Sequence, residues 1–162
     1  MFLNKIKLFL VISICLIFFF LIYNDVKFYE IKIIDGDTIH LNSKKIRFSG
    51  IDSPELKQSC KKDDRIVYCG IEAKKLLINI IGNNKVNCIN EGEDQYKRTL
   101  AECFVNDLSL SSYLVRNGYA FAYRKYSKKF INDEDFARVN NVGMWSMQLE
   151  YPWDFRKNNE FF

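Results

Sequence analysis

Four carboxylic acids and one arginine lie close together in the first third of the chain. The acids are Asp35, Asp37, Asp52 and Glu55, and Arg47 falls between the second and the third of them. Carboxylates this close repel one another unless a positive charge lies among them. A hard cation takes oxygen ligands, and Ca²⁺ accepts mixed sets of carboxylates, backbone carbonyls and water. The acids could thus be solvated, face a substrate whose charge Arg47 neutralises, or form a cation site, beside which Glu55 would orient or deprotonate a water molecule.

Two arginines extend this chemistry to phosphate. A guanidinium can bind a phosphate through two parallel hydrogen bonds and stabilise the charge that builds in a transition state. Arg47 is the arginine of the acidic segment, and Arg98 begins a predicted strand after a polar loop. The alternative is structural: Asp35 and Gly36 form only a turn, Glu55 lies in a loop and Arg98 is a surface charge. Spacing alone favours that alternative.

Composition excludes several other kinds of chemistry. The chain has a single histidine, His40, which excludes mechanisms that need two imidazoles and the H-E-x-x-H type of zinc site. No glycine-rich phosphate loop and no G-x-S-x-G motif occurs in the sequence. The net charge is +4, and Lys5 and Lys7 supply two of these charges. The overall charge therefore does not indicate nucleic-acid binding, and such a function must come from a site.

Short strands and three helices would position these residues. Strands are predicted at 26–34, 39–41, 46–49, 85–89 and 99–105, and helices at 71–82, 110–117 and about 132–142. The Asp-Gly pair at Asp35 predicts a hairpin turn between the first two strands. Five short strands, with the longest helix between the third and the fourth, are typical of an OB-like barrel. The predicted fold class is therefore α+β, with a five-stranded OB-like, partly closed β-barrel and three helices.

An apolar segment precedes this domain. Residues 8–23 carry no charge and lack the polar stripe of a helix on the surface of a soluble protein. No small-residue cleavage site follows, which favours an uncleaved signal anchor over a cleaved signal peptide. Lys5 and Lys7 would place a short basic end, residues 1–7, in the cytoplasm and export residues 24–162. We therefore expect one N-terminal transmembrane helix and a domain in the periplasm or at the cell surface, or a secreted protein if the segment is cleaved.

The cysteines fit an exported domain. Cys15 lies in the apolar segment, which leaves Cys60, Cys69, Cys88 and Cys103. None forms a C-x-x-C pair, so a zinc site is disfavoured and disulfides are expected in an oxidising compartment. A Cys60–Cys69 bridge would close the polar loop before the first helix. Cys88 and Cys103 would meet if the fourth and fifth strands pair as a hairpin. The alternative is four free thiols.

Four segments of the sequence resemble the thermonuclease (staphylococcal nuclease-like) family. They are "DGDT", "RFSGIDSPE", "YKRTLAECFV" and "LVRNGYAFAY", in the family's order and at fitting distances. The resemblance covers about residues 31–145. It implies an OB barrel with three helices and a Ca²⁺-dependent phosphodiesterase that acts on DNA and RNA and leaves 3′-phosphate ends. The four exported cysteines are similar to those of an extracytoplasmic branch of the family, which supports the two pairings above.

The resemblance also implies roles for single residues. The implied Ca²⁺ ligands are Asp37, Asp52 and, through its backbone carbonyl, Ser53. The implied catalytic residues are Arg47 and Arg98, which would bind phosphate, and Glu55, which would act as the general base.

The implied substrate contacts are two tyrosines, Tyr96 and Tyr126. Their alternative role is that of packing or surface aromatics. Lys97 stands where the family often has glycine, directly before Arg98, which would alter the loop that presents this arginine.

These observations lead to one hypothesis and two alternatives. The hypothesis is a membrane-anchored, exported, monomeric nuclease that depends on Ca²⁺, cuts DNA or RNA with low sequence specificity and has no protein partner indicated. The first alternative is a non-catalytic OB-type module that binds single-stranded nucleic acid or serves as an interaction module. The second is an envelope protein in which the acidic site is only a structural calcium site.

Overall fold

The structure is a computed structural model that describes residues 12–18 and 29–159. The strands are β1 (Ile31–Ile33), β2 (Thr38–Leu41), β3 (Lys44–Phe48), β4 (Ile51–Asp52), β5 (Cys60–Lys62), β6 (Arg65–Val67), β7 (Asn87–Glu93), β8 (Thr99–Val105), β9 (Leu108–Ser109) and β10 (Phe121–Ala122). The helices of the 29–159 range are α1 (Cys69–Ile81), α2 (Leu110–Arg116), α3 (Ile131–Val139) and α4 (Pro152–Asn159), with a 3₁₀ turn at Gly143–Ser146. The chain is therefore α+β, as predicted.

The main sheet has the strand order β1-β2-β3-β8-β7, and β9 pairs with β8. Strands β3 and β8 run parallel, whereas the other neighbours in this sheet are antiparallel. Two short pairs lie outside it, β4 with β10 and β5 with β6. The pair of β4 and β10 matters for the site because it sets Asp52 opposite Phe121.

Helices α1 and α2 cover the sheet with their apolar faces. Leu77 and Ile81, one helical turn apart on α1, are buried in the core that contains Ile39 and Phe48 of the sheet. The helix ends at Gly82, whose φ of +50° lies in the left-handed region that glycine adopts at low cost. One helical stripe and one sheet face thus form the main core.

Both predicted disulfides are present. Cys88 and Cys103 lie directly opposite each other in the antiparallel pair of β7 and β8, with Cα atoms 4.0 Å apart. Cys60 and Cys69 join the start of β5 to the first residue of α1. The prediction that the fourth and fifth strands form a hairpin is confirmed by this register, and the alternative of four free thiols is wrong.

The predicted barrel closure is wrong. Strands β1 and β7 are the two ends of the main sheet, and β4 and β10 form a separate pair rather than bridging those ends. The alternation of apolar residues identifies a strand and its buried face, but it does not specify which strand lies at an edge. The architecture is an open mixed sheet consistent with an OB-like fold, not a closed barrel.

The three predicted helices are confirmed, but a fourth, α4, was missed. Its sequence carries helix signals: Pro152 at the first position, Asp154 in the first turn, and Arg156 and Lys157 in the last turn. Proline is favoured at a helix start, and these charges complement the helix dipole. α4 buries only Pro152, so it lacks the broad apolar stripe by which the other helices could be recognised.

The predicted membrane segment is largely outside the described residues. Of residues 8–23, the structure describes 12–18, which are helical and exposed; residues 1–7 and 24–28 of the predicted cytoplasmic end and exported domain are also outside. In the described ranges, no helix has the length and apolar character needed to cross a bilayer. The predicted N-terminal transmembrane helix is therefore not found in that part of the chain.

The two disulfides lead to a stability prediction. Replacing both Cys88 and Cys103 by alanine should lower the free energy of unfolding by about 3 kcal/mol. The bridge closes a loop between residues 15 apart in sequence, and without it the unfolded chain regains the conformational entropy of that loop. The matched variant without Cys60 and Cys69 releases a separation of 9 residues and should lose slightly less. Urea unfolding of the oxidised proteins measures both. An unchanged urea midpoint when the wild type is reduced would contradict the expectation.

Candidate active site

Arg47 holds two predicted metal ligands together. It lies on β3, opposite Thr38 of β2, so its side chain starts next to Asp37, which precedes β2. Its Nη1 donates to Asp37 Oδ1 at 2.7 Å, and its Nη2 donates to Asp52 Oδ1 at 2.7 Å. Asp37 and Asp52 therefore lie on the same guanidinium group.

The turn before β2 fixes the position of Asp37. Asp35 accepts a hydrogen bond from the backbone N–H of Asp37 at 3.0 Å, which is the local bond that aspartate often makes in turns. Gly36 is required here for space, since a Cβ at this position would lie 2.1 Å from Ser53 Oγ. The turn therefore packs directly on the segment that follows β4, where the second acid lies.

Asp37 is buried and fully hydrogen-bonded. It is 2% exposed, and its Oδ1 accepts from the Thr38 hydroxyl as well as from Arg47. Its Oδ2 accepts the backbone N–H of Ser53 at 2.8 Å. Burial raises the pKa of Asp37 to about 7; Arg47 opposes this shift, and the charges of Asp35 and Asp52 add to it. The site thus holds more negative charge than Arg47 neutralises.

Ser53 uses its other polar groups for structure. Its N–H binds Asp37, and its hydroxyl donates to the backbone carbonyl of Tyr119 at 3.1 Å. Its carbonyl would be the group available to a cation, as the family resemblance implies. That role stays a prediction.

Arg156 of α4 is a site residue that sequence reasoning missed. Its Nη2 donates to Asp52 Oδ2 at 2.6 Å, and its Nη1 donates to Glu55 Oε1 at 2.8 Å and to Asp52 Oδ1 at 3.2 Å. Burial lowers the pKa of Arg156, but the hydrogen bonds that Arg156 donates to Asp52 and Glu55 outweigh this effect and raise the pKa above its ordinary value. In the sequence, Arg156 is an arginine in a short C-terminal helix, and no motif or periodicity indicates which residues it contacts.

Glu55 lies at the solvent-facing edge of the site. Its side chain is 43% exposed, whereas Asp52 is fully buried. The backbone of Glu55 is fixed by the buried Gln58, whose Oε1 accepts the Glu55 N–H and whose own N–H donates to the Glu55 carbonyl. Gly70 allows α1 to approach this loop, because a Cβ there would lie 1.9 Å from that carbonyl. A rigid backbone therefore presents a carboxylate that water can reach.

The segment before α4 is attached to this loop. Lys61 and Gln148 exchange two backbone hydrogen bonds, of 2.9 and 2.8 Å, and Gln58 donates from its side chain to the carbonyl of Glu150 at 2.7 Å. The ring of Trp153, on α4 itself, stacks on Tyr123 at 5.8 Å and on Tyr151 at 4.7 Å. These contacts place the C-terminal helix next to Glu55.

Arg98 lies one residue before β8 and is held in its own turn. Its Nε donates to Asp94 Oδ2 at 2.6 Å, and Asp94 also accepts the backbone N–H groups of Tyr96 and Arg98. Among the described residues, the structure shows no contact of Arg98 with the acidic site.

Lys97 takes a backbone conformation that favours glycine. Its φ is +58°, in the left-handed region, which costs a non-glycine residue roughly 1–2 kcal/mol. This explains why a glycine suits the position and shows that the lysine does not remove the turn.

The predicted substrate tyrosines are exposed: Tyr96 has Arg98 5.3 Å from its ring centre, and Tyr126 packs edge-on against Tyr123 at 4.9 Å.

The donor set fits Ca²⁺ in its chemistry. Within the described ranges, no group of three or more histidine, cysteine or acidic side chains is arranged to hold a metal ion. Two carboxylates and a backbone carbonyl, completed by water, nevertheless form a suitable oxygen set for Ca²⁺. Four acids, Asp35, Asp37, Asp52 and Glu55, lie around two guanidinium groups, those of Arg47 and Arg156, so acidic groups outnumber cationic ones at the site. The residues present therefore fit the ion.

The burial of Asp37 leads to a pH prediction. Between about pH 4 and pH 7 the folded, metal-free protein keeps a proton on Asp37 that the unfolded chain has lost, so the free energy of unfolding falls as pH rises. Asp37→Asn does not titrate and leaves Asp52 to pair with Arg47. In EDTA, the variant should therefore melt higher than the wild type at about pH 8, by about 5 °C, and differ less at about pH 5.

The control for this prediction is Asp64→Asn, which removes the same charge from a fully exposed side chain. It should leave the pH dependence of the melting temperature unchanged. The raised pKa of Asp37 would be contradicted if the wild-type melting temperature were the same at about pH 5 and about pH 8 and Asp37→Asn melted no higher than the wild type.

Comparison with known proteins relates the chain to one family. A family model described as staphylococcal nuclease homologue matches residues 45–147. The probable staphylococcal-like nuclease CAN2 of Oryza sativa is 31% identical over 80% of this chain, and an uncharacterized endonuclease of Haemophilus influenzae is 29% identical over 72%. The endonuclease YhcR of Bacillus subtilis is 29% identical over 80% of this chain.

The chain spans only part of each relative. It covers 34% of the Oryza protein, 64% of the Haemophilus protein and 12% of the Bacillus protein. The match to the family model nevertheless covers most of the described chain and includes Arg47, Asp52, Glu55 and Arg98. The two disulfides fit the cysteine-containing branch that the sequence resembles. The chain belongs to the family of staphylococcal nuclease homologues.

Proposed function

We propose that the protein is a Ca²⁺-dependent nuclease that hydrolyses phosphodiester bonds of DNA or RNA with little sequence specificity. The observation that supports this most is the double contact of Arg47 with Asp37 and Asp52, beside Glu55. It collects a phosphate-binding group, two hard oxygen ligands and a candidate base in one place. Membership of the nuclease family is the second support.

Asp37, Asp52 and the backbone carbonyl of Ser53 would hold the Ca²⁺. When bound, this ion neutralises charge on the scissile phosphate and orients it. Without it, the two buried carboxylates have only guanidinium groups and the neutral donors of Thr38 and Ser53 as partners. With Asp35 and Glu55 nearby, four acids lie around two guanidinium groups, and the fit of the ion rests on this excess of acidic groups and on the oxygen donors.

Glu55 would take the proton from the attacking water. A general base must be reachable by water and held in place, and Glu55 has a half-exposed carboxylate on a fixed backbone. Arg47 and Arg98 would neutralise the charge that builds on the phosphate oxygens. Arg98 must exchange Asp94 for the substrate, because in this structure its Nε is bound there.

Substrate binding would depend on stacking and charge rather than on base edges. Tyr96 and Tyr126 present exposed rings, each with a cation nearby, Arg98 at 5.3 Å and Lys125 at 5.6 Å from the ring centre. Aromatic rings stack on any base, so such contacts are tolerant of sequence. This supports a preference for unpaired strands and low sequence specificity.

Export and membrane anchoring remain part of the proposal. The two disulfides support an oxidising compartment. The uncharged segment 8–23 supports an N-terminal anchor, with secretion as the outcome if that segment is cleaved.

A second candidate function is binding without cleavage. A groove of about 650 Å³ is lined by none of the proposed catalytic residues. Its lining combines aromatic rings, among them Tyr123 and Trp153, with the cations Arg124, Lys125 and Arg138 and the acid Glu134. Basic grooves with aromatic rings bind single strands in OB-type modules. This groove would serve a binding module as well as an enzyme, so cleavage itself has to be measured.

The proposed function predicts calcium-dependent cleavage. The oxidised full chain should degrade single-stranded DNA in the presence of Ca²⁺, and excess EGTA should abolish degradation, because Asp37 and Asp52 would lose their ion. Gel electrophoresis of an end-labelled oligonucleotide measures this. Binding of the oligonucleotide by a folded protein that never cuts it would instead support the binding module.

Glu55→Gln should slow cleavage by about 10²–10⁴-fold, because an amide cannot accept the proton of the attacking water. The dissociation constant of the variant for single-stranded DNA should stay within about twofold of the wild-type value, since the variant keeps the size of the side chain. The control is Glu72→Gln, which changes a carboxylate of similar exposure, 37% against 43%, on α1. Wild-type cleavage by Glu55→Gln would remove Glu55 from the role of general base.

A further inference from the structure

The contact between α4 and the acidic site has no role in the proposed hydrolysis. Arg156 binds both oxygens of Asp52 and one oxygen of Glu55. These are a proposed metal ligand and the proposed base. One guanidinium from the C-terminal helix therefore occupies the groups that a cation and a water molecule would need.

The division of Asp52 between two arginines is unequal. Arg47 donates only to Oδ1, whereas Arg156 donates to Oδ2 at 2.6 Å and more weakly to Oδ1 at 3.2 Å. Asp52 is fully buried, so its Oδ2 is not solvated by bulk water and has Arg156 as its partner. A cation that bound Oδ2 would meet a second positive charge on the same atom, and the two would repel each other.

The charges of the site allow one of these partners to be replaced. Four acids, Asp35, Asp37, Asp52 and Glu55, face two guanidinium groups, Arg47 and Arg156. Arg47 is mostly buried, with 16% of its side chain exposed, and bridges two buried acids, whereas 36% of the Arg156 side chain is exposed. Arg156 is therefore the partner that costs less to release into water.

Arg156 can leave the acids without movement of the packed start of α4. At that start Pro152 is buried and Trp153 stacks on two tyrosine rings, whereas Arg156 lies about one turn further along the helix. With 36% of its side chain exposed, Arg156 already reaches solvent. Its release thus requires a rotation of its side chain, with the packing of Trp153 and the attachment at Gln148 kept.

We propose that Arg156 is a built-in counter-ion that competes with the divalent cation for Asp52 and Glu55 and thereby sets the cation affinity of the site. The inference rests on the proposed function, because it assumes that Asp52 binds the cation. In the metal-free protein Arg156 stabilises the acids, and in the cation-bound protein it has left Asp52. Arg156 is in this sense an affinity-determining residue and not a catalytic one.

This competition has a thermodynamic signature. A contact made only in the metal-free state contributes to the stability of that state and opposes cation binding by the same amount. Removing Arg156 should therefore lower the melting temperature in EDTA, leave it nearly unchanged at saturating Ca²⁺, and tighten Ca²⁺ binding. A residue that only positions the two carboxylates for the ion would give the opposite sign for affinity.

The experiment compares Arg156→Gln with the wild type, as oxidised full chains, by calorimetric titration with Ca²⁺ and by melting in EDTA and in excess Ca²⁺. The matched control is Lys157→Gln, which makes the same charge change at the next, exposed position of α4. We expect about tenfold tighter Ca²⁺ binding for Arg156→Gln and less than about twofold change for Lys157→Gln. Arg156→Lys, which keeps the charge but cannot hold two carboxylates in one plane, should fall between.

Each outcome decides the matter. Unchanged or weaker Ca²⁺ binding by both Arg156 variants overturns the competition, and weaker binding would assign Arg156 to positioning. Arg156→Lys serves as the test if Arg156→Gln does not fold. Cleavage by the wild type is measured in parallel: Ca²⁺-dependent cleavage with unchanged affinities refutes only this inference. A wild type and variants that neither bind Ca²⁺ nor cleave would refute the proposed function together with it.

Discussion

The bridge from Arg47 to Asp37 and Asp52 is the interaction on which the rest of the site depends. It joins the strand β3 to the turn before β2 and to the end of β4, so three chain segments share one buried charge cluster. Breaking a buried pair by removing one partner is costly, because the other charge is left uncompensated. The arginine therefore cannot be lost without disturbing both acids, and its chemical role and its structural role are inseparable.

The surrounding fold keeps this cluster dry on one side and open on the other. Asp37 and Asp52 are buried, and the close approach at Gly36 leaves no room for water between the turn and Ser53. Glu55 faces solvent. The buried carboxylates of Asp37 and Asp52 are placed to hold an ion, whereas the exposed carboxylate of Glu55 can exchange protons with water. Burial and nearby charge determine which of these acids ionise.

Much of this arrangement could be predicted from local sequence, and the failures have a physical reason. The pairing of Cys88 with Cys103 and the approach of Asp37 to Asp52 follow from hairpins and turns, which are encoded over a few residues. The role of Arg156 could not be predicted, because its partner Asp52 lies 104 residues away and no periodic pattern links the two. The open edges of the sheet were missed for the same reason: the alternation of apolar and polar residues does not specify which other strand a strand pairs with.

The distance of Arg156 from its partners along the chain also has a consequence for synthesis. Chains are made from the N-terminus and fold progressively as they emerge, and contacts of large sequence separation form late. Asp52 and Glu55 are complete about a hundred residues before their C-terminal partner is made. A chain that stops before α4 carries the same acids with one guanidinium fewer, so premature termination would yield a protein whose site differs in charge from that of the finished molecule.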